Sequence, residues 1–247
     1  MKANLPEEYK KEKVVNILSI DMDYILAPCI NLYNDMVKAS NNPKQMWDEI
    51  NRIRNIDSHI SYDDLNLRYV FNIFSLALKK LKKPENVSFA YNHDAILFEL
   101  ASKKRQNEKF NLFNIDHHHD IFYGENQKDS VDKYDVTNVA SWIWYLDKYE
   151  KLEQYHWIKN SNSMCEDINF KILKDGTHTE MQHIFDVKEW DYIFVCNSPH
   201  WFPRKYDNFF FMLIDLYENI TGLNAKIEEN VFCPNGISRP YPYDVEK

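Results

Sequence analysis

The sequence predicts an α/β protein built on a mainly parallel sheet with helices covering both faces. Three observations carry that reading. Short β-branched or aromatic runs alternate with longer segments of helical periodicity. The short runs are near-continuously apolar, as strands buried on both faces require. Three of them end in carboxylate or imidazole side chains, and ligands bind outside the carboxyl ends of open parallel sheets. With 247 residues and 44% hydrophobic content, the chain supports one large domain over residues 1–247.

Four runs read as buried strands: residues 14–20 (VVNILSI), 87–91 (VSFAY), 109–115 (KFNLFNI) and 191–196 (DYIFVC). Helices are expected to start at Pro43, Asp63, Asp94, Thr137 and Tyr206, where a capping or turn residue precedes an apolar-periodic stretch. The Asn/Ser-rich stretch at 159–169 reads as a loop. The basic run KKLKK at 79–83 stands just before Pro84 and reads as cations closing a helix rather than as a nucleic-acid patch.

Composition narrows the function classes. A net charge of -8 argues against nucleic acid and favours cationic partners. Cys29, Cys165, Cys196 and Cys233 are widely spaced with no CxxC pair, so neither a disulfide framework nor a thiolate zinc site is expected. The charged N-terminal stretch and the lack of a long apolar run predict no membrane span and a cytoplasmic protein. Only 4 glycines occur, and no glycine-rich phosphate loop is among them.

The chemistry concentrates at the strand ends. Asp21 and Asp23 follow the first strand (SIDMDY), His93 the second (AYNHD), and Asp116, His118 and Asp120 the third (NIDHHHD). In an extended segment residues i, i+2 and i+4 share a side, so Asp116, His118 and Asp120 are expected to face one centre, with His117 and His119 turned elsewhere. Carboxylates with imidazoles form a mixed O/N donor set suited to Mn²⁺, Fe²⁺, Co²⁺ or Zn²⁺. Four carboxylates carry more negative charge than one divalent ion neutralises, so two ions are the natural count. Turn-forming aspartates would explain SIDMD alone, but not three strand ends together.

These motifs resemble the arginase-like ureohydrolases, whose signatures are a strand-end histidine, DxHxD and SIDxD. The resemblance implies an arginase/deacetylase-like three-layer αβα sandwich with a dimanganese centre whose bridging hydroxide attacks a guanidinium carbon. It implies one metal held by His93, Asp116, Asp120 and Asp21, a second held by Asp116, His118, Asp21 and Asp23, and Asp120 orienting the hydroxide. Here SIDMD precedes the other two motifs, so the motif order is permuted. No histidine follows DHHHD where the family places a proton relay, and His200, with His178 or His183 as alternatives, is expected to take that role. The late stretch DYIFVCNSPHWFP carries Cys196, Asn197 and Ser198 at the strand end where the family has a guanidinium-binding glutamate. With the early DMDY it resembles the peptide arginases, which convert arginine side chains of a ribosomal precursor peptide to ornithine.

Trp201, Trp142 and Tyr24 are candidate aromatic walls for a cation, although core packing also accounts for each of them. His59 and His156 read as surface or satisfied core groups, and Cys196 as a structural thiol. Three other readings stay open: a one-zinc deacetylase-like amide hydrolase, a non-catalytic metal-containing module that binds basic peptides, and a dimetal phosphoesterase.

Overall fold

The structure, a computed structural model, describes residues 12–26, 47–50, 52, 61–163, 169–199, 201–231 and 239–240. His59, His200, Cys29, Cys165, Cys233 and the start of the helix expected from Pro43 lie outside these residues; 47–50 are helical.

The main sheet has seven strands: β1 (Lys13–Asp21), β2 (Val87–Ala90), β3 (Glu108–Asp116), β4 (Leu152–Lys159), β5 (Leu173–Thr177), β6 (Tyr192–Cys196) and β7 (Ile227–Glu228). Their spatial order is β5-β4-β3-β1-β6-β2-β7. Every pairing in this sheet is parallel. β8 (Asn230–Val231) and β9 (Arg239–Pro240) form a separate antiparallel pair.

Side-chain alternation along the strands builds two cores. Leu18, Ile20, Phe89, Phe113, Ile115, Ile193 and Val195 point to one face. There they meet Val70, Ile73, Phe74 and Ala77 of α1 (Asp64–Lys79) and Phe210, Leu213 and Tyr217 of the last long helix (Asp207–Thr221). Val15, Ile17, Phe110, Leu112, Tyr192 and Phe194 point to the other. They pack on α2 (Leu97–Leu100), α3 (Glu125–Tyr134) and α4 (Trp142–Lys148). The fold is therefore a three-layer αβα sandwich, with the Asp207–Thr221 helix as α5. Each large side chain buried in this way contributes about 1.5–3 kcal/mol.

Local chemistry explains where the elements stop. Asp63 caps α1 by accepting from the backbone N–H groups of Leu65 and Asn66, a cap worth about 1 kcal/mol. At the other end Lys80 Nζ donates to the carbonyls of Phe185 and Val187, both at 2.9 Å, and Lys82 Nζ lies 2.9 Å from Asp191 Oδ1. The basic run thus ties α1 to the segment entering β6 as well as facing water.

Some boundaries differ from expectation. The stretch from Asp94 is a 3-10 turn (His93–Ile96) followed by the single turn of α2. The helix expected from Thr137 starts at Trp142. Lys159, expected in a loop, ends β4. No helix among the described residues is long and apolar enough to cross a membrane.

Candidate metal centre

β1 and β3 are neighbours at the middle of the sheet, in register from Lys13↔Glu108 to Ile20↔Ile115. Their last residues, Asp21 and Asp116, therefore emerge side by side at the carboxyl edge. β6 separates β1 from β2, so the imidazole of His93 reaches across it, stacked parallel on Phe194 with ring centroids 5.8 Å apart.

His93 Nδ1 lies 3.1 Å from Asp21 Oδ2, 3.2 Å from Asp116 Oδ2 and 2.9 Å from Asp120 Oδ2. A few ångströms away, His118 Nδ1 lies 2.9 Å from Asp23 Oδ2 and 3.8 Å from Asp116 Oδ1. Two groups can hold a metal ion: Asp21, His93 and Asp116, and Asp23, Asp116 and His118. Asp116 belongs to both, offering a different oxygen to each imidazole. Asp21 belongs to the first group only, and its Oδ1 accepts the Asp23 N–H at 3.1 Å. Asp120 joins through His93.

All four carboxylates and His93 are buried. His93 Nδ1 and Asp23 Oδ2 lack hydrogen-bond partners despite their close neighbours, because no approach has hydrogen-bond direction. Oxygen and nitrogen atoms about 3 Å apart, converging without hydrogen bonding, are spaced as ligands about 2.1 Å from a common ion would be. The donor set and these orphaned atoms fit divalent metals.

The supporting shell fixes each ligand. Ser19 Oγ lies 2.8 Å from His93 Nε2, leaving Nδ1 for the centre. Asn114 donates to Asp116 Oδ2 at 3.0 Å, and the His118 N–H to Asp116 Oδ1 at 2.8 Å. Trp142 Nε1 donates to Asp120 Oδ2 at 2.7 Å. Asp120 has φ of 51°, in the left-handed region, and its carbonyl receives the Ile143 N–H at 3.2 Å. A non-glycine residue held there stores strain on the order of 1–3 kcal/mol, a feature concentrated at functional sites.

The expected six ligands converge, but not through strand periodicity. β3 stops at Asp116, and His118 and Asp120 are brought back by the irregular loop that follows. β1 stops at Asp21, which caps a 3-10 turn (Met22–Ile25) that aims Asp23. His117 and His119 belong to neither ligand group among the described residues: the His117 ring lies edge-on to that of His118 at 5.1 Å, and the His119 ring stacks on Tyr123 at 4.2 Å.

Electrostatics follow from crowding. Burial and the Asp116 charge push the Asp120 carboxyl up to about 7. Burial and Asp21 hold Asp23 well above the usual carboxylate range. Burial also opposes ionisation of Asp116, but His93 and His118 overcome it and hold Asp116 below that range. Burial opposes protonation of His118 too, yet Asp23 and Asp116 raise it to about 9. His117 and His119 are lowered to about 4 by burial and by His118. The centre thus gathers cations, protons in their stead.

Of the three aromatic candidates, two are core, the reading that packing favours. Trp142 and Tyr24 are fully buried, Trp142 as the Asp120 donor and Tyr24 with its hydroxyl 3.3 Å from His178 Nδ1. Half-buried Trp201 does flank the centre, its ring 4.3 Å from that of His118. Tyr123 stands edge-on to the same imidazole at 6.2 Å. His178 and His183 pair with Tyr24 and His156 rather than with the ligand groups. The Cys196 thiol, buried beside Asp21 in register, is pushed well above its ordinary value by burial and by that carboxylate, which suits a structural thiol.

No family model, curated protein or solved structure matches the chain. The site's own geometry is accordingly what bears on function.

Proposed function

We propose that the protein is a dimanganese ureohydrolase of the peptide arginase type, hydrolysing arginine side chains in a ribosomal precursor peptide to ornithine and urea. The observation that carries this reading is Asp116, whose two oxygens face two separate ligand groups, the arrangement a carboxylate bridging two ions needs. Two divalent ions, Mn²⁺ or another transition metal, would supply Lewis acidity and a water acidified towards neutral pH.

The chain's own residues supply the rest. Asp120 is fixed through Oδ2 by the Trp142 indole N–H, which would leave Oδ1 to accept a proton from the attacking water. Trp201 and Tyr123 flank His118 and offer aromatic surface to a planar cation, worth about 0.5–2 kcal/mol. The reaction adds water to the guanidinium carbon and breaks its bond to the side-chain nitrogen, which leaves as the ornithine amine. His200, outside the described residues, stays the proposed proton relay on sequence grounds. The scattered cysteines accord with a cytoplasmic setting.

Elemental analysis after Mn²⁺ reconstitution tests the centre, with wild type compared against Asp116→Asn. Two ions per chain, lost in a variant whose circular dichroism is unchanged, support it, as does release of urea from arginine peptides. One ion per chain with activity on acetyl-lysine would replace this reading with a deacetylase-like one. Unchanged peptide recovered from a tight, metal-dependent complex would replace it with a binding module.

A further inference from the structure

An open depression of about 570 Å³ lies on the face of the sheet that carries α1. It spans the amino-terminal halves of β1 and β3 and the middle of β4, at Asn16, Asn111 and His156, with the exposed His183 and Asp186 at its wall. The carboxyl edge with its metal ligands is elsewhere.

A directed chain of hydrogen bonds runs through its floor. Asn16 Nδ2 donates to the Glu189 carbonyl at 3.0 Å, and a carbonyl only accepts. Asn16 Oδ1 therefore accepts from Asn111 Nδ2 at 2.9 Å. Asn111 Oδ1 in turn accepts from His156 Nε2 at 3.0 Å, so His156 Nδ1 is a lone pair, and it accepts from His183 Nε2 at 3.0 Å. Each link fixes the next, and the last commits Nε2 of the exposed His183 as a donor, leaving its Nδ1 without a hydrogen-bond partner among the described residues. His156 is 4% exposed and stacked flat on Phe113 with centroids 4.2 Å apart, so the chain rests on a rigid base.

The rest of the lining sets the charge. Glu153 and Asp186 contribute two carboxylates and Lys174 one ammonium, leaving a net negative charge. His183, Glu153 and Asp186 are not gathered within one metal shell, since among the described residues only the two groups of the carboxyl edge are. Dispersed acceptors match dispersed donors on an organic molecule.

We propose that this depression binds a small organic cation carrying N–H donors, an aliphatic amine or guanidine of amino-acid size. The site is independent of the metal centre and stands whether or not that centre is hydrolytic. Its test is a titration of the metal-free full chain with propylguanidine, read from the imidazole nitrogens of His183 and His156 by long-range ¹H–¹⁵N correlation. Saturable movement of His183 Nδ1 is expected. Affinity should fall about tenfold or more in His183→Ala, and likewise in the Glu153→Gln/Asp186→Asn double variant, whose changes are at exposed positions. No saturation up to about 50 mM, or equal affinity in His183→Ala, would overturn the proposal. So would movement of the same nuclei by propionate that disappears in Lys174→Ala, which would make the site one for anions.

Discussion

Trp142 holds Asp120 in place: its indole Nε1 donates to Asp120 Oδ2 at 2.7 Å, and that same oxygen lies 2.9 Å from His93 Nδ1. The indole ring also packs on the His93 ring, with centroids 4.9 Å apart. One buried side chain thereby orients two groups of the centre from behind. Trp142→Phe keeps most of the packing and removes the donor. Metal affinity is expected to fall about 10- to 100-fold with the fold retained. Calorimetry showing wild-type affinity would mean that Asp120 is oriented without it.

Metal uptake should release protons. In the metal-free protein Asp120 is raised to about 7 and His118 to about 9, so below these values both groups carry protons that an incoming ion must displace. Affinity therefore rises with pH through about 7 and again through about 9. Calorimetric titration in two buffers of different ionisation enthalpy measures the release directly, with at least about one proton per chain expected near pH 6. Buffer-independent heats at that pH would contradict the electrostatics of the centre.

His156 sets a different pH limit, on stability. Burial, with His183 and Lys174, lowers it to about 3 from an ordinary 6.5. The unfolded chain therefore takes up a proton as pH falls through about 6.5 while the folded chain does not. Its stability contribution is complete above that value and is lost on acidification, by about 2 kcal/mol at pH 5. His156→Gln is expected to flatten the dependence of Tm on pH between about 7 and 5, whatever it does to Tm itself. An unchanged slope would show that His156 protonates in the folded state.

Trp201 offers a test of substrate recognition. If its ring receives a guanidinium beside His118, Trp201→Ala raises KM about 2- to 30-fold and leaves the metal count unchanged. A loss of metal instead would make Trp201 a support for His118, on which it packs at 4.3 Å.

The legible parts of this protein were those where function and burial wrote themselves into short runs. The strand ends at Asp21, His93 and Asp116 announce the centre because no packing requirement explains acids and imidazoles there. The support for those groups was hidden in ordinary residues. Ser19 and Asn114 stand two positions before Asp21 and Asp116 on the same strand faces, so a period of two had already aligned them with the ligands. Trp142 looked like a wall for a cation because sequence says nothing of which atom an indole offers.

Elements without an apolar stripe were the ones missed. In α3 only Val131 is buried, so there is almost no periodicity to see. β4 interleaves Leu152, Tyr155 and Trp157 with Glu153, Gln154 and His156, because the first part of one face lines the open depression and only Ile158 on that face joins a core. The aim of His118 and Asp120 depends on a turn with one left-handed residue, a conformation that an aspartate does not advertise.

The position of β6 sets an order of events during synthesis. All six ligand residues lie within the first 120, yet β6, which seats between β1 and β2 and supports His93 through Phe194, comes from residues 192–196. A nascent chain that has exposed every ligand to the cell still lacks the strand that spaces them. The cage is therefore complete only once β6 has been made and has paired, and long-range pairing of this kind is slow to form. Until then the acids and imidazoles are separate along the chain, and an ion would meet no preformed donor set.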